Sequence, residues 1–398
     1  MKIVFFCHPD FESSQSMPRY ARMLSEAFAK KGYEVEMWSP KERFHRFGRS
    51  QFLKKWLGYI DQFIIFPLEV KIKLGSQPSN TLFSFTDQAL GPWLPLVASR
   101  QHVVHCHDFL AQRCAAGEIP ENSVSSTGRW YQAWIRRGYR RGRNFISVSN
   151  KTRQELHHFL GGIPPCSEVV YNGLNQDFVP LPVPEARAAV SNALGLNLKQ
   201  GFILHVGGNQ WYKNRAGVVE IYDVWRSTGG NLPLIMIGKA PTPKLAAARE
   251  ASMFKADVHF CQGVNDATLR AAYAGASVFL FPSLAEGFGW PVAEAMASGC
   301  PVVTTDEAPM TEVAGDAAFL IPRRPLPNAT SQSFTDWKQR AAAVLSQAVY
   351  MSEEKKALML LRMQDNVKRF DPVKTIQQIE SIYLNIINSP ASNHVKEL

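Results

Sequence analysis

"SVFLFPSLAEGFGWPVAEAMASGCPVVTT", residues 277–305, decides how this chain is read. It begins with a short unbroken apolar run, the pattern of a parallel strand covered on both faces. A loop follows Pro282. Pro291 then suits the start of a helix, where its missing N–H would have no helical partner anyway. Gly299 closes that helix, and "PVVTT" opens a second buried strand. Two carboxylates, Glu286 before the helix and Glu294 in its predicted first turn, stand eight residues apart, which gives them separate tasks. Between them, Gly287 and Gly289 flank Phe288 where backbone amides can approach a phosphate or a sugar. On pattern alone an ordinary account serves equally well. Glu294 would complement the helix dipole, worth about 0.3–1 kcal/mol, and Glu286 would be a solvated loop residue.

The same winding runs through both halves of the chain. "KIVFFCH" reads as a first strand. In "PRYARMLSEAFAKKG", Tyr20, Leu24, Ala27 and Phe28 share one helical face before Gly32 stops the helix, and "YEVEMWSP" follows as a strand. Further strands are expected at 81–85, 102–107, 145–149 and 168–171. "PLPVP" (180–184) reads as a stiff connector. Beyond it come "FILHVGG", a helix from about Asn214, and the strands "PLIMIG", "DVHFC", "SVFLFP", "PVVTT" and "AAFLI". Residues 333–388 are helical throughout. Alternating strands and helices predict an α/β class with two doubly wound, Rossmann-like domains.

Composition agrees. The 398 residues are too many for one ordinary core, and 45% hydrophobic with 20% charged residues describes a globular chain. No window holds the roughly 18 apolar residues of a spanning helix. The first apolar run is broken too early for a secretory signal, so the expected compartment is the cytoplasm. Six scattered cysteines without a C-x-x-C pair predict buried free thiols, with neither a zinc site nor a disulfide framework. The net charge is +10, and through residue 180 there are 23 Lys and Arg against 15 Asp and Glu. The basic excess therefore lies in the first half, which suits an acidic partner such as a membrane surface or a phosphorylated acceptor.

The block from Gly263 to Pro322 resembles the donor half of the retaining glycosyltransferase family 4. It carries the E-x7-E pattern at Glu286 and Glu294 within the expected strand–loop–helix–strand context. The resemblance extends more weakly over most of the chain. It implies the GT-B fold: two Rossmann-like domains with an interdomain cleft and a C-terminal helix crossing back. The implied divisions are 1–182 for the acceptor, 183–370 for the donor, and a returning helix at 371–390. It also implies that Glu294 binds the ribose hydroxyls of a nucleoside diphosphate sugar and that Glu286 meets the transferred sugar. The amides of Gly287, Phe288 and Gly289 would assist, and Gly263 and Val264 would join the donor site. A metal ion and other cofactors are not required.

"HVGGNQWYKNR" supplies the second constellation. A strand ends at Val206, Gly207 and Gly208 turn the chain, and Lys213 arrives at a helix start with Asn214 as its expected cap. By the resemblance these residues and Asn209 belong to the donor site, with Lys213 stabilising charge on the departing diphosphate. The family places an arginine where this chain has Gly208. "VVHCHDF" supplies the third. His105 and His107 are read as facing opposite sides of their strand, with His107, beside Asp108, as the site residue. In the fourth, "HPDFESSQSMPR", serines 13, 14 and 16 replace the glycines usual in the family. Ser16 and Arg19, with Asp108, are candidates for an acceptor or phosphate loop.

Two regions stay outside the alternation. Lys41 to Leu74 mixes basic and aromatic residues at helical spacing, which suits a membrane interface or a loop packed on its own domain. "GRWYQAWIRRGYRRGR" (128–143) reads as a surface helix able to meet lipid phosphate, not as a nucleic-acid site. The overall expectation is a retaining hexosyltransferase acting on a saccharide, lipid-linked or small-molecule acceptor, cytoplasmic or peripheral at the inner membrane face. A sugar-nucleotide epimerase or hydrolase, and a non-catalytic nucleotide-sugar-binding protein, are the alternatives.

Overall fold

In the computed structural model the described residues are 1–11, 16–174 and 177–388, with only the backbone of Ser16 included. Two six-stranded parallel sheets organise the chain. One compact unit comprises Met1–Glu118, Val124–Tyr171 and the chain from Val373; the other comprises Ile119–Ser123 and Asn172–Pro372.

The first sheet contains β1 (Lys2–Phe6), β2 (Glu34–Trp38), β3 (Leu82–Phe85), β4 (His102–Cys106), β5 (Asn144–Ser147) and β6 (Cys166–Val169), in the order β2-β1-β3-β4-β5-β6. Strand β1 shows why it reads as one apolar run. Val4 and Phe6 enter a core with Trp38, Phe66, Phe85 and Trp93. Ile3 and Phe5 enter another with Leu24, Phe28 and Tyr383. Both faces are covered, so neither needs polar residues. The long C-terminal helix Pro372–Asn388 closes the second core through Ile376, Ile379, Tyr383 and Ile386, spaced as one helical stripe.

The second sheet contains β7 (Ile203–Val206), β8 (Leu234–Ile237), β9 (Val258–Cys261), β10 (Val278–Phe281), β11 (Val302–Thr305) and β12 (Phe319–Ile321), in the order β12-β11-β10-β7-β8-β9. Its core gathers Tyr222, Trp225, Trp337 and Leu345 over the strands.

Two expectations need correction. The helix Val183–Leu194 takes in the end of the "PLPVP" connector, because Pro184 fits a first helical turn. The stretch that broke the alternation is helical as well. Helix Gln51–Ile60, a π turn Asp61–Ile65 and helix Phe66–Leu74 follow one another directly. Ser50 caps the first, and buried Asp61 accepts the N–H groups of Phe44 and His45, fixing the entering loop. All six cysteines are free thiols. Among the described residues no helix is long and apolar enough to cross a membrane.

Candidate active site

In the second sheet the winding reverses between β7 and its neighbour β10. Chains leave these adjacent carboxyl ends in opposite directions, and the crevice between them is where such sheets take ligands. The loop after β7 runs through Gly207 and Gly208 to a short turn, Trp211–Lys213, then into helix Arg215–Ser227. Gly238 lets the loops after β7 and β8 come close, since a Cβ on it would lie 2.0 Å from the Gly207 carbonyl oxygen. Asn214 holds a left-handed backbone (φ 49°) at the N-cap position, but its side chain caps nothing there. Its Nδ2 instead donates to the Pro282 carbonyl at 2.9 Å, which ties the β7 loop to the β10 loop. The Leu284 N–H donates to the Tyr212 carbonyl at 2.7 Å, and Ser283 Oγ lies 2.9 Å from the same oxygen.

These ties bring Lys213 and Glu286 together. Lys213 Nζ donates to Glu286 Oε1 at 2.8 Å, and Ser283 Oγ donates to the same oxygen at 2.7 Å. The lysine ammonium also lies 5.0 Å from the centre of the Phe281 ring. Both side chains are largely buried, 14% and 9% exposed. Removing one partner would therefore leave a poorly hydrated charge behind.

Glu294 lies in the second turn of helix Trp290–Ala297, not the first. The dipole account consequently loses its basis, because that effect fades within the first turn. The Tyr273 phenol donates to Glu294 Oε2 at 2.9 Å. Burial, followed by the nearby carboxylate, pushes Tyr273 well above the usual phenol range, so it stays a donor. Gly289, at φ 100°, sets the N-cap and so has no side chain to cap the helix, while the Val292 N–H turns back to the Gly289 carbonyl at 3.0 Å. Phe288 is buried edge-on against Phe370. Gly263 turns at φ 64° after β9, and Asn265, one residue beyond Val264, caps the next helix. Asn209 points elsewhere: its Nδ2 donates to the Ala240 carbonyl and its Oδ1 accepts from Arg215. Arg215 is thereby held toward the β8 loop rather than toward Lys213.

The first sheet reverses between β1 and β3. There His8 Nε2 meets Asp87 Oδ2 at 2.9 Å. Burial raises the Asp87 pKa, but the His8 bond and charge, with the Ala89 N–H, outweigh it and hold the carboxyl below its usual range. His107 follows β4 and donates through Nε2 to the Thr86 carbonyl at 2.9 Å; burial keeps it neutral. His107, Asp87, Gln88, Asp108 and Gln112 line a cavity of about 260 Å³. Asp108 Oδ1 accepts the Leu110 N–H at 3.0 Å.

His105 and His107 do not face opposite sides. Positions two apart on a strand share a face, and both rings touch Tyr20, at 5.7 and 4.6 Å. His105 is fully buried between the hydroxyls of Tyr20 (2.9 Å) and Tyr383 (2.7 Å), a structural position. Arg19 is exposed on the first turn of helix Ser16–Lys30. Ser13, Ser14 and the Ser16 side chain lie outside the described residues.

Sequence reasoning passed over His8, Asp87 and His205. His8 and Asp87 each lie just past an apolar strand run, which is the available signal. His205 is buried beneath Gly207, with Nδ1 donating to the Leu280 carbonyl at 2.9 Å and its pKa pushed down to about 3 by burial.

Residues 187–350 match the family described as glycosyl transferases group 1, and residues 17–178 match glycosyltransferase family 4. The chain belongs to glycosyltransferase family 4. This family 4 chain is 27% identical over 220 residues to O-antigen chain mannosyltransferase B of Escherichia coli, covering 54% of this chain and 55% of that one. It spans about half the length, or less, of the curated relatives it matches. Among solved structures, WaaG, a glycosyltransferase involved in lipopolysaccharide biosynthesis, superposes with a TM-score of 0.68 at 15% identity, over 96% of this chain and 99% of that one. Anabaena Alr3699/HepE, solved with UDP and glucose, gives 0.68 at 17% identity, over 97% and 100%. At such low identity the likeness establishes the fold, GT-B.

Proposed function

We propose that this family 4 chain is a retaining hexosyltransferase using a nucleoside diphosphate sugar as donor and a saccharide or lipid-linked acceptor. The observation that carries the reading is the Lys213–Glu286 pair at the β7/β10 switch point, 2.8 Å apart and bonded to Ser283. Each neutralises the other. A bound donor divides them: its diphosphate takes the lysine, and a sugar hydroxyl takes the carboxylate. The uncapped helix start at Gly289–Trp290 supplies N–H donors for the same diphosphate. Glu294, steadied by Tyr273, offers a carboxylate oxygen to the vicinal ribose diol.

The acceptor hydroxyl then attacks the anomeric carbon on the face from which the diphosphate leaves. The bond from that carbon to the phosphate oxygen breaks, and this oxygen takes the acceptor proton. Lys213 holds the charge that develops. Residues 183–370 carry the donor, with Gly207, Gly208, Gly263 and Val264 shaping its site. Residues 1–182, joined by the helix from 371, carry the acceptor, with His107 and Asp108 at its site. The relatives support this reading: one is an O-antigen chain mannosyltransferase, and a fold neighbour was solved with UDP and glucose.

A thermal-shift panel of UDP-, GDP- and ADP-sugars, followed by product analysis with lipid and glycan extracts, tests it. One nucleotide class should raise the melting temperature by several degrees when present at about 100 times its Kd, and its sugar should appear on an acceptor with the anomeric configuration kept. Donor consumed without any acceptor, or no stabilisation by any nucleotide sugar, would overturn it.

A further inference from the structure

From Gln51 to Leu74 helix, π turn and helix run without a break. Apolar residues recur along this rod at every fourth position: Phe52, Trp56, Ile60, Ile64, Leu68 and Ile72. In a pure α-helix such a row would drift around the axis by about 40° per step. The π turn at Asp61–Ile65 holds more residues per turn and counters that drift. The opposite side of the rod is committed to the core through Phe66 and Val70. The row itself is open: Phe52, Trp56, Ile64, Leu68 and Ile72 are between 53% and 80% exposed.

Ring contacts carry the apolar surface onto a second helix, Ser126–Tyr139. Trp56 meets Tyr59 at 5.8 Å, Tyr59 stacks on Tyr131 at 6.0 Å, and Trp134 stacks on Trp130 at 5.9 Å. Trp130 is 68% exposed. Cations flank this surface. Residues 41–75 hold eight Lys and Arg against Glu42, Asp61 and Glu69, while residues 126–143 hold six Arg and no acid. The three acids are all engaged, with His45, the Phe44 and His45 N–H groups, and Arg43 respectively.

We propose that this face docks on an anionic lipid bilayer, with the rod lying in the headgroup plane. Phe52, Trp56 and Trp130 would enter the acyl boundary while Lys54, Lys55 and Arg129 stay at the level of the phosphates. Charge decides between occupants. A second copy of the chain would bring two cationic faces together, whereas a phosphate-bearing lipid surface complements both the cations and the apolar row. The rod lies on the membrane and does not cross it, since no described helix is apolar and long enough. The proposal stands apart from the transferase reading and survives if that reading fails.

Flotation of the full chain with vesicles of phosphatidylcholine, with and without phosphatidylglycerol, tests it. The chain should float with the anionic vesicles, hardly at all with the neutral ones, and less as salt is added. Phe52→Ser with Trp56→Ser, and separately Lys54→Glu with Lys55→Glu, should each lower binding about tenfold or more. Because these positions are outside the core, melting temperature and donor binding should stay unchanged. Equal binding to neutral and anionic vesicles, or binding insensitive to both variants, would overturn it. So would a concentration-dependent dimer that the Phe52/Trp56 variant abolishes while vesicles are ignored.

Discussion

The two sheets each place an acid–base pair across a topological switch point, and the pairs differ in kind. After β7 and β10, Lys213 meets Glu286 at 2.8 Å beside an uncapped helix start. After β1 and β3, His8 meets Asp87 at 2.9 Å beside a cavity whose charged lining is acidic. Under the proposed function, the lysine of the first pair would meet a diphosphate, whereas the acidic cavity beside the second pair would meet hydroxyl groups. The switch point supplies a place, and the side chains decide what it binds.

Breaking the cationic pair should have the largest effect. Lys213→Met should lower the transfer rate by about 10²–10³, measured in steady-state assays, because a preorganised donor to the leaving group is lost. An effect confined to stability would remove the lysine from the chemistry. The equivalent cut in the first sheet, Asp87→Asn, should act on stability by about 2 kcal/mol, the scale of a charge-assisted bond, in urea titrations. It should leave nucleotide binding intact, and weakened nucleotide binding would erase the distinction between the pairs.

Acid should loosen both sheets alike. Fully buried His105 and His205 both have pKa values pushed by burial from 6.5 to about 3. Below 6.5 the unfolded chain takes up protons that the folded chain refuses. Their contribution is thus complete above pH 6.5 and falls, by about 1.4 kcal/mol per pH unit for each histidine, toward pH 3. Denaturant midpoints between pH 7 and pH 4 should show this loss, and His205→Asn should flatten the slope. A pH-independent midpoint would contradict the neutral, buried assignment. The smallest effect is expected from Tyr273→Phe, which removes one bond to Glu294 and should weaken nucleotide binding by about 1 kcal/mol, or roughly fivefold.

The contrast between the pairs also explains what could be read from sequence. The residues of the second site crowd into two short stretches, 207–214 and 286–294, each tied to a strand end by glycine and proline signals. The strand–loop–helix–strand order places them without knowledge of packing, although Glu294 lies one turn further into its helix than Pro291 suggests. The first site is assembled from positions 8, 87 and 107, far apart in the chain, and no local pattern links His8 to Asp87. His105 shows the limit most clearly. Its partners Tyr20 and Tyr383 come from opposite ends of the chain, so its structural role emerges only when the last helix is packed. The rod at 51–74 was legible in composition but not in shape, since a π turn has no simple sequence signal.

The central claim is that Glu286 and Glu294 grip different parts of one donor. Calorimetric titration with the free nucleoside diphosphate and with the intact nucleotide sugar, on Glu294→Ala and Glu286→Ala, tests it most directly. Glu294→Ala should weaken both ligands about equally, and Glu286→Ala should spare the free nucleotide while weakening the sugar-bearing donor and slowing transfer. If both variants bind both ligands as the parent chain does, or if Glu286→Ala alone loses the free nucleotide, the assignment is wrong.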